Sequence, residues 1–405
     1  MTSLVQDHER PQTPAQWAVR WHGLVAAALL VGSVPLVHVA WHGVLGHQQP
    51  PVVLRSQIPA PPVQWGAMAD GSWMLTKERQ LREDSPIVWQ LRSAWNECLL
   101  RMGLGQSATV HIGKHGWLFL KADVAPAVQQ FQAWADVRTR TFAAVRDQVR
   151  AAGAELCVMV VPDKSRIYPE AAFGGEVGPA KAPIYGRLQQ ELGAAGILSV
   201  DLAQGLRAVR AAAPGEDLYY HGDTHWRAPG ALAAAQLLAT VLGNAPIAQR
   251  LSPRHAMQLG ARSTYLGVGD LVTALGIGTA EFPDATGQRR SRAVSLLAQT
   301  YTEALDFYAV VPGPGAPALR LDGEDPDAEI LLVGTSYSDV NGLKALMLAL
   351  GRPIRMVQEN GAASITPMRR ALAELREPGR PRPKLVIWEI VERGFFEEPW
   401  RDPKF

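Results

Sequence analysis

The chain has 405 residues, of which 47% are hydrophobic and 19% are charged, and its formal net charge at pH 7 is +2. A chain this long and this apolar can bury a sizeable core, which excludes an intrinsically disordered protein. The 40 basic and 38 acidic residues nearly balance, and this balance does not favour a nucleic-acid binder. Two cysteines are too few for a disulfide scaffold or a cysteine-rich zinc site.

An apolar run near the N-terminus is the first informative segment. Residues 23–41 contain no Asp, Glu, Lys or Arg, and about 20 such residues in a helix cross the ~30 Å hydrocarbon layer of a membrane. Arg10 and Arg20 precede the run, so the positive-inside rule predicts that the N-terminus lies in the cytoplasm and that the bulk of the chain lies outside it. A cleaved signal peptide is the alternative, which is disfavoured because the sequence at 38–40 matches a cleavage site only in part.

A proline-rich segment at 48–62 follows the run and is typical of an extended, semi-rigid tether. Beyond it, residues 75–104 show a helix-like pattern. The sequence therefore predicts four parts: a cytoplasmic N-terminus at 1–22, a transmembrane anchor at 23–41, a tether with a helical region at 42–108, and a catalytic domain at 109–405.

Strands and helices alternate through the predicted catalytic domain. The continuous apolar run ELCVMVV at 155–161 is typical of a strand buried on both faces. Further strands are predicted at 196–202, 329–333, 354–357 and 384–391. Helices are predicted at 125–152, 184–195, 230–242, 342–350 and 367–375. This alternation predicts an α/β fold with a mostly parallel sheet, helices on both faces, and a site at the carboxyl ends of the strands.

The polar segment at 219–226 directly precedes the predicted helix at 230–242. Asp223 and His225 are two residues apart, so in extended backbone their side chains project from the same face. A carboxylate in that position can hold an imidazole in one tautomer, as the acid of a catalytic triad does. A metal site is one alternative, because His221 alternates with them in the same way. A structural turn whose aspartate caps the helix is the other.

A second polar segment, GTSYSD at 334–339, follows a predicted apolar strand and precedes a predicted helix. A serine on a sharp turn at a strand's carboxyl end can present its hydroxyl to a substrate, and the amides of the turn can serve an oxyanion hole. An ordinary turn is the alternative, whereas a P-loop is excluded because no GxxxxGK[ST] occurs. Together, Ser336 and the Asp223–His225 pair suggest serine-based acyl transfer.

Six motifs in the predicted catalytic domain resemble those of the membrane-anchored or periplasmic alginate O-acetyltransferases of the AlgJ/AlgX type. The resemblance spans roughly residues 109–396 and implies an SGNH-hydrolase-like fold with three flavodoxin-like layers. The motifs occur in family order at 113–119, 161–170, 223–226, 269–271, 334–338 and 388–393.

The resemblance assigns roles to the two polar segments. It implies that Ser336 is the nucleophile, His225 the base and Asp223 the acid. In ordinary SGNH hydrolases the serine comes first in the chain, and the aspartate and histidine come late and three residues apart. Here the pair comes first and is two apart, which matches the acetyltransferase branch and implies a permuted topology.

The resemblance also bears on the surroundings of this site. Lys164, Arg166 and Tyr337 are candidates for binding the substrate. No metal and no other cofactor is expected. The expected partners are a polysaccharide acceptor and a multi-spanning membrane acyltransferase that supplies the acetyl group. The expected location is the inner membrane, with a single span and the catalytic domain in the periplasm.

We therefore expect a periplasmic O-acetyltransferase that carries an acetyl group on Ser336 and passes it to an exopolysaccharide hydroxyl. A carbohydrate esterase with the same triad and a non-catalytic polysaccharide-binding scaffold are the alternatives. Similar proteins modify alginate, cellulose and other polymers, so the resemblance does not select one polysaccharide. In the periplasm a bridge between Cys98 and Cys157 is allowed, but Cys157 lies in an apolar strand where a free thiol is more ordinary.

Overall fold

The computed structural model describes residues 86–102, 107–125, 128–283, 289–360 and 365–397, and the predicted anchor and proline-rich tether lie outside these ranges. Within the described ranges, no helix has both the length and the apolar character needed to span a membrane. The chain divides into two compact units between Ala94 and Trp95, and the second unit contains every strand described below.

The elements follow one another along the chain in this order. The first are α1 (Pro86–Arg101), β1 (Val110–Ile112), β2 (Leu118–Leu120), α2 (Lys121–Val124), α3 (Val128–Ala133), α4 (Ala135–Ala151), β3 (Glu155–Val161), α5 (Lys164–Ile167), α6 (Pro169–Ala172), α7 (Ile184–Ala194), β4 (Leu198–Ser199), α8 (Leu202–Ala212) and α9 (Ala228–Gly243). A short 3-10 turn (Pro246–Gln249) leads to β5 (Met257–Gly267), α10 (Asp270–Ala274), β6 (Thr279–Pro283), β7 (Arg289–Ala293), α11 (Leu296–Gln299) and β8 (Glu303–Pro312). The last are β9 (Ile330–Gly334), α12 (Leu343–Leu350), β10 (Ile354–Gln358), α13 (Ile365–Arg376), β11 (Leu385–Val391) and α14 (Gly394–Glu397).

Five parallel strands form the central sheet, in the spatial order β10–β9–β11–β3–β4. Counted from β9, this order reads 2-1-3-4-5, which is the flavodoxin-like arrangement of a doubly wound fold. In this arrangement β3 and β4 are strands 4 and 5, yet they come before β9, β10 and β11, which are strands 1, 2 and 3, along the chain. The topology is therefore a circular permutation of that arrangement. The predicted parallel three-layer fold and the predicted permuted order are both confirmed.

Helices cover both faces of the sheet because successive side chains of a strand point to opposite sides. On one face, Cys157 and Met159 of β3 belong to a hydrophobic core shared with α8, α9 and α12. On the other face, Leu156 and Val158 belong to a second core shared with α4, α7 and α13. The three middle strands are thereby buried almost throughout, as their continuous apolar sequences predict.

Two predicted elements differ from those observed. The strand predicted at 196–202 is only β4, because Asp201 accepts a hydrogen bond from the Gln204 amide at 2.9 Å and so starts α8 directly after it. The helix predicted at 125–152 is divided into α3 and α4. At this division, the buried Arg138 guanidinium donates to the Phe131 carbonyl at 3.0 Å and satisfies a carbonyl of the interrupted helix.

An insertion between α9 and β9 carries elements that the sequence analysis did not assign. Strands β5 and β8 form a long antiparallel pair, β6 and β7 form a hairpin, and α10 and α11 are short helices. Leu271 and Val272 of α10 join Val110 and Leu118 in a third hydrophobic core. This packing holds the insertion against the β1–β2 hairpin and fixes α10, which begins at Asp270.

The two cysteines are both free thiols. Cys98 is exposed on α1, whereas Cys157 is buried in the middle of β3. Burial raises the pKa of the Cys157 thiol to about 12. The bridge that an oxidising compartment would allow is therefore not formed.

Candidate active site

The polar segment at 334–339 begins where β9 ends, at the point where the strand order of the sheet reverses. Ser336 is the first residue of a helical turn, and an irregular wide turn, Ser338–Gly342, joins it to α12. Asn341 has a left-handed backbone with φ of 62°, and its side-chain amide donates to the Asp306 carbonyl at 3.0 Å. The switch point of the sheet thus presents the serine at its carboxyl edge.

Glu389, a fully buried residue of the neighbouring strand β11, holds this turn. Its carboxyl group accepts the Thr335 amide at 2.7 Å, the Thr335 hydroxyl at 3.0 Å and the Ser338 hydroxyl at 3.0 Å. Gly334 makes this approach possible, because a Cβ there would lie 2.1 Å from the Ser338 Oγ and 2.6 Å from the Glu389 Oε2. The residues on both sides of Ser336 are therefore fixed by one acidic side chain.

Asp223 and His225 lie on an irregular loop that directly precedes α9. An antiparallel bridge between Tyr219 and Trp226 closes this loop at its base. The Trp226 indole donates to the Val340 carbonyl at 2.8 Å, which ties the loop to the turn that follows the serine. The two polar segments, separated by more than 100 residues, thus meet through a direct contact.

A buried ammonium group supports the loop from below. The Lys164 Nζ donates to the carbonyls of Tyr220 at 3.0 Å, His221 at 3.2 Å and Asp223 at 2.7 Å. Burial lowers the pKa of Lys164 to about 8, although the acids around it favour the charged form. The cation therefore stabilises a run of backbone carbonyls that has no regular secondary structure.

Two acidic residues of the insertion bind the amides of the same loop. The Glu303 carboxylate accepts the His221 amide at 3.0 Å and the Gly222 amide at 2.8 Å. The Asp270 carboxylate accepts the Thr224 amide at 2.8 Å and the Thr224 hydroxyl at 2.6 Å. The loop is thus held at its carbonyls by a cation and at its amides by carboxylates.

Ser336, His225 and Asp223 form a continuous chain of hydrogen bonds. The His225 Nε2 and the Ser336 Oγ are 2.7 Å apart, and the His225 Nδ1 and the Asp223 Oδ1 are 2.6 Å apart. The His225 amide also donates to the same carboxylate oxygen at 2.8 Å. The side chains of His225 and Asp223 are 13% and 15% exposed, so both are largely shielded from solvent. The structure thus brings together the three residues that the sequence proposed.

The acid and the base perturb each other's protonation. Burial opposes the ionised form of Asp223, but the charge of His225 and the hydrogen bonds from it outweigh burial and lower the pKa of Asp223 to about 2. Burial also opposes the imidazolium, but Asp223 outweighs it and raises the pKa of His225 above its ordinary value of 6.5. Asp223 is therefore ionised at neutral pH and stabilises a proton on His225.

Tyr337, which the resemblance suggested for substrate binding, is buried instead. Its hydroxyl donates to the Thr224 carbonyl, and its ring lies 4.9 Å from that of His225. Arg393 in turn donates to the Tyr337 hydroxyl at 3.4 Å. The expectation of a substrate contact is corrected: Tyr337 packs beneath the histidine and fixes the loop.

The expectation that Lys164 and Arg166 line a substrate groove is also wrong, because both side chains are buried. Lys164 donates to the loop carbonyls described above, and Arg166 donates to the Glu392 carboxylate at 2.9 Å and to the Lys181 carbonyl at 2.9 Å. Charged residues that follow a strand look solvated in a sequence, but here internal partners satisfy each of them.

The alternative metal site at His221, Asp223 and His225 does not assemble as its sequence spacing suggested. The His221 ring packs at a tilt against Trp117 with the ring centroids 4.1 Å apart, and its Nε2 bonds to the Asp217 carboxylate at 2.8 Å. Asp223, His225 and Asp270 do offer ligand atoms within 4.8 Å of one another. However, the oxygens of both carboxylates already accept N–H or O–H groups of the protein, which is the pattern of an acid–base network.

A serine, a histidine and an aspartate joined by hydrogen bonds at the carboxyl edge of a permuted flavodoxin-like sheet define a class of serine-dependent acyl-transfer enzymes. The family model described as SGNH hydrolase-like domain, acetyltransferase AlgX, matches residues 110–392. The chain belongs to this acetyltransferase family, which confirms the resemblance and the acyltransferase activity inferred from its motifs.

Similar proteins agree with this membership. The chain is 29% identical over 332 residues to the probable alginate O-acetylase AlgJ of Pseudomonas fluorescens, covering 80% of this chain and 78% of that protein. It is 27% identical over 342 residues to the protein of the same name from Pseudomonas syringae pv. tomato, covering 82% of each. The solved O-acetyltransferase domain of Pseudomonas putida AlgJ superposes with a TM-score of 0.56 at 23% identity, over 72% of this chain and 93% of that one, which shows a common fold.

Three acidic residues of the site had no role in the sequence analysis. Asp270 and Glu389 lie within two of the motifs that carried the resemblance, and that position was the available signal. Glu303 lies in the insertion, outside all six motifs. None of the three has a local pattern that predicts its partner, because each one acts on a segment more than 45 residues away in the chain.

Proposed function

We propose that the protein transfers acetyl groups to hydroxyls of an exopolysaccharide through an acetyl ester on Ser336. The observation that carries the proposal is the unbroken set of hydrogen bonds from Asp223 through His225 to Ser336. The similarity to two probable alginate O-acetylases, over 80% and 82% of this chain, supports a polysaccharide acceptor of the alginate type.

The first half-reaction loads the enzyme. The Ser336 hydroxyl attacks the carbonyl carbon of an acetyl donor, and its proton passes to the His225 Nε2, 2.7 Å away. Collapse of the tetrahedral intermediate breaks the bond to the donor group, which leaves with the proton from His225. The enzyme then carries an acetyl ester on Ser336, with the imidazole neutral again.

The second half-reaction transfers the acetyl group. A sugar hydroxyl attacks the ester carbonyl while His225 accepts its proton, and the bond to the Ser336 oxygen then breaks as that oxygen takes the proton back. Asp223 orients the ring and stabilises the imidazolium that forms in both halves, because its carboxylate lies 2.6 Å from Nδ1. Water in place of the sugar would give hydrolysis by the same steps.

The amide of Ser336 is the candidate for stabilising the oxyanion in both halves. The neighbouring amides are occupied, since the Thr335 amide donates to Glu389, the Tyr337 amide to the Thr335 hydroxyl and the Ser338 amide to the Thr335 carbonyl. Ser336 begins a helical turn, where amides have no intrahelical acceptor and where the helix dipole favours negative charge.

The proposal includes a location. Residues 23–41 anchor the chain in the inner membrane, and the catalytic domain faces the periplasm. The uncharged run and the preceding Arg10 and Arg20 support this orientation. In the periplasm the protein needs a partner that supplies the acetyl group. A multi-spanning membrane acyltransferase is suited to this role. N-terminal sequencing of membrane-extracted protein tests the anchor, and a mature chain that starts near Trp41 would contradict it.

The central experiment follows the fate of the acetyl group. Purified protein is incubated with p-nitrophenyl acetate as donor and an uronic-acid oligosaccharide as acceptor, and mass spectrometry measures acetylated oligosaccharide, free acetate and acetylated Ser336. We expect acetylated oligosaccharide with the native protein. We expect none with Ser336→Ala, and a native level with Ser263→Ala, which alters an exposed serine of β5.

Two outcomes of this experiment would contradict the proposal. Acetate release without acetylated oligosaccharide, across acceptors of different composition, would indicate an esterase. Full polymer acetylation by cells that carry Ser336→Ala would indicate a scaffold. The losses of acetyl transfer in Ser336→Ala, His225→Ala and Asp223→Ala should not add when the substitutions are combined. The three residues act as one unit, so any one substitution already removes most of the activity that depends on them.

A further inference from the structure

The insertion between α9 and β9 places Asp270 in direct contact with Asp223. The Asp270 amide donates to the Asp223 Oδ2 at 3.0 Å. The other oxygen of Asp223 accepts the ring and the amide of His225, so both carboxylate oxygens are occupied. The backbone at Asp270 therefore completes the hydrogen bonding that keeps Asp223 ionised.

The side chain of Asp270 acts on the residue between the acid and the base. Its two oxygens accept the amide and the hydroxyl of Thr224, at 2.8 Å and 2.6 Å. Thr224 joins Asp223 to His225 in the chain, so its position sets the distance and angle between their side chains. Asp270 thus fixes the geometry of the pair without touching the serine.

Gly269 allows the insertion to approach this closely. A Cβ at Gly269 would lie 2.4 Å from the Asp223 Cβ and 2.4 Å from the Gly222 carbonyl oxygen. Both are nearer than such atoms come in folded proteins, so a side chain at this position would move the insertion away from the triad. The close contact between the two segments therefore requires a glycine at position 269.

The charge of Asp270 also reaches the histidine. Its Oδ2 lies 3.9 Å from the His225 Nδ1, beyond a hydrogen bond but close enough for a direct charge interaction. The charged groups that act on His225 are the two carboxylates of Asp223 and Asp270 and the guanidinium of Arg393, which opposes them. A proton on His225 is therefore stabilised by two acids from two different segments.

We propose that Asp270 is a positioning residue that acts through His225: its side chain holds Thr224, and its negative charge stabilises the imidazolium that forms when Ser336 gives up its proton. This inference rests on the proposed function for its effect on transfer. Its effect on the protonation of His225 does not, and can be measured without any substrate.

The direct test measures the protonation of His225 in the full-length protein. Diethyl pyrocarbonate modifies a histidine in its neutral form but not in its protonated form. Peptide mass spectrometry gives the modification rate of His225 at each pH. We expect the midpoint of this rate to fall by about 0.5 to 1 pH unit in Asp270→Asn, because a unit charge about 4 Å away in a solvent-rich setting contributes on the order of 1 kcal/mol. The asparagine keeps an acceptor for the Thr224 amide, and its amino group can donate to the Thr224 hydroxyl, so both contacts can persist, the second with its direction reversed, while the charge is lost.

Two variants separate charge from structure. Asp327→Asn removes an exposed carboxylate from the loop before β9 and should leave the midpoint unchanged. Thr224→Val leaves the charge of Asp270 but removes a hydroxyl that bonds to Asp270 and lies 3.3 Å from the His225 Nδ1, so it should reduce acetyl transfer and shift the midpoint less than Asp270→Asn does. A native midpoint in folded Asp270→Asn, or the same shift in Thr224→Val, would overturn the proposal. Asp270 is 46% exposed, so the isosteric asparagine is expected to fold.

The two proposals fail in different ways. If the Asp270→Asn midpoint shifts but neither native protein nor variant transfers acetyl groups, the role of Asp270 stands and the proposed function falls. If native protein transfers acetyl groups and the variant has the native rate and midpoint, the proposed function stands and the role of Asp270 falls. In the expected case the variant has a lower kcat with little change in KM for the acceptor, because the charge acts mainly in the transition state.

Discussion

The Lys164 ammonium and the Asp223 backbone carbonyl lie 2.7 Å apart, so a buried cation contacts the backbone of Asp223 directly. Two more carbonyls of the same loop converge on that ammonium. The three carbonyls surround the ammonium and form a small cage with it, in the way that backbone carbonyls surround a bound metal cation. The position of Asp223 thus depends on a side chain that is itself buried.

Replacing Lys164 should therefore disturb both stability and activity. In Lys164→Met the three carbonyls lose their donor inside the protein, and we expect the free energy of unfolding to fall by about 1–3 kcal/mol. Urea denaturation at pH 7 measures the change. Lys114→Met is the matched control, because Lys114 is exposed and its replacement should change stability by less than about 0.5 kcal/mol. Equal unfolding midpoints for the two variants would contradict the role given to the cage.

Glu389 should be important for transfer although it does not contact the substrate site. In Glu389→Ala the Thr335 amide and two hydroxyls of the turn lose their acceptor, and Ser336 is free to move. Because a misplacement of about 1 Å can cost on the order of 100-fold in rate, we expect a loss of about 10- to 100-fold in kcat. Glu389→Gln keeps an oxygen for the Thr335 amide and should retain more activity. Acetyl transfer to the oligosaccharide measures both variants, and equal rates for alanine and glutamine would count against this explanation.

The Asp223–His225 pair should stabilise the fold most strongly between pH 4 and 6.5. The pKa of Asp223 is lowered from 3.8 to about 2, so its contribution is present above pH 3.8 and is lost as the pH falls toward 2. The pKa of His225 is raised above 6.5, so its contribution is full below pH 6.5 and is lost as the pH rises through the raised value. Thermal unfolding of native protein and Asp223→Asn should differ most in this window. A difference that keeps growing above pH 8 would not fit the pair.

The two thiols should differ sharply in reactivity. Cys98 is exposed, whereas Cys157 is buried in β3 with its pKa raised to about 12, so a maleimide should label only Cys98 in folded protein. Denatured, unreduced protein should take two labels per chain. Mass spectrometry counts them, and the absence of labels after denaturation would reveal the disulfide that the structure does not contain.

Much of the fold could be predicted because its signals are local. The apolar runs of β3 and β11 are characteristic of strands buried on both faces, and both are observed almost as predicted. The spacing of Asp223 and His225, and the position of Ser336 after β9, likewise marked the segments that meet. Strand β5 escaped prediction for a physical reason: most of its side chains are exposed, so its sequence lacks the apolar alternation of a half-buried strand.

The remaining features of the site depend on contacts between distant segments. Lys164 and Arg166 are charged residues after a strand, a pattern typical of a solvated loop, and only their long-range partners explain their burial. Asp270 and Glu389 were present in motifs that carried the family resemblance, but nothing in those motifs specifies the segments that they bind. Such partners follow from the topology of the sheet and the placement of the insertion.

The permuted strand order has a consequence for how the enzyme becomes active as it is made. Strand β11 lies between β9 and β3, yet it is the last of the five strands to leave the ribosome. Until it arrives, the sheet has a gap at its centre and the serine turn lacks the Glu389 carboxyl that shapes it. We therefore expect the turn that carries Ser336 to take its observed form only after β11, the last strand of the sheet to be synthesised, is in place.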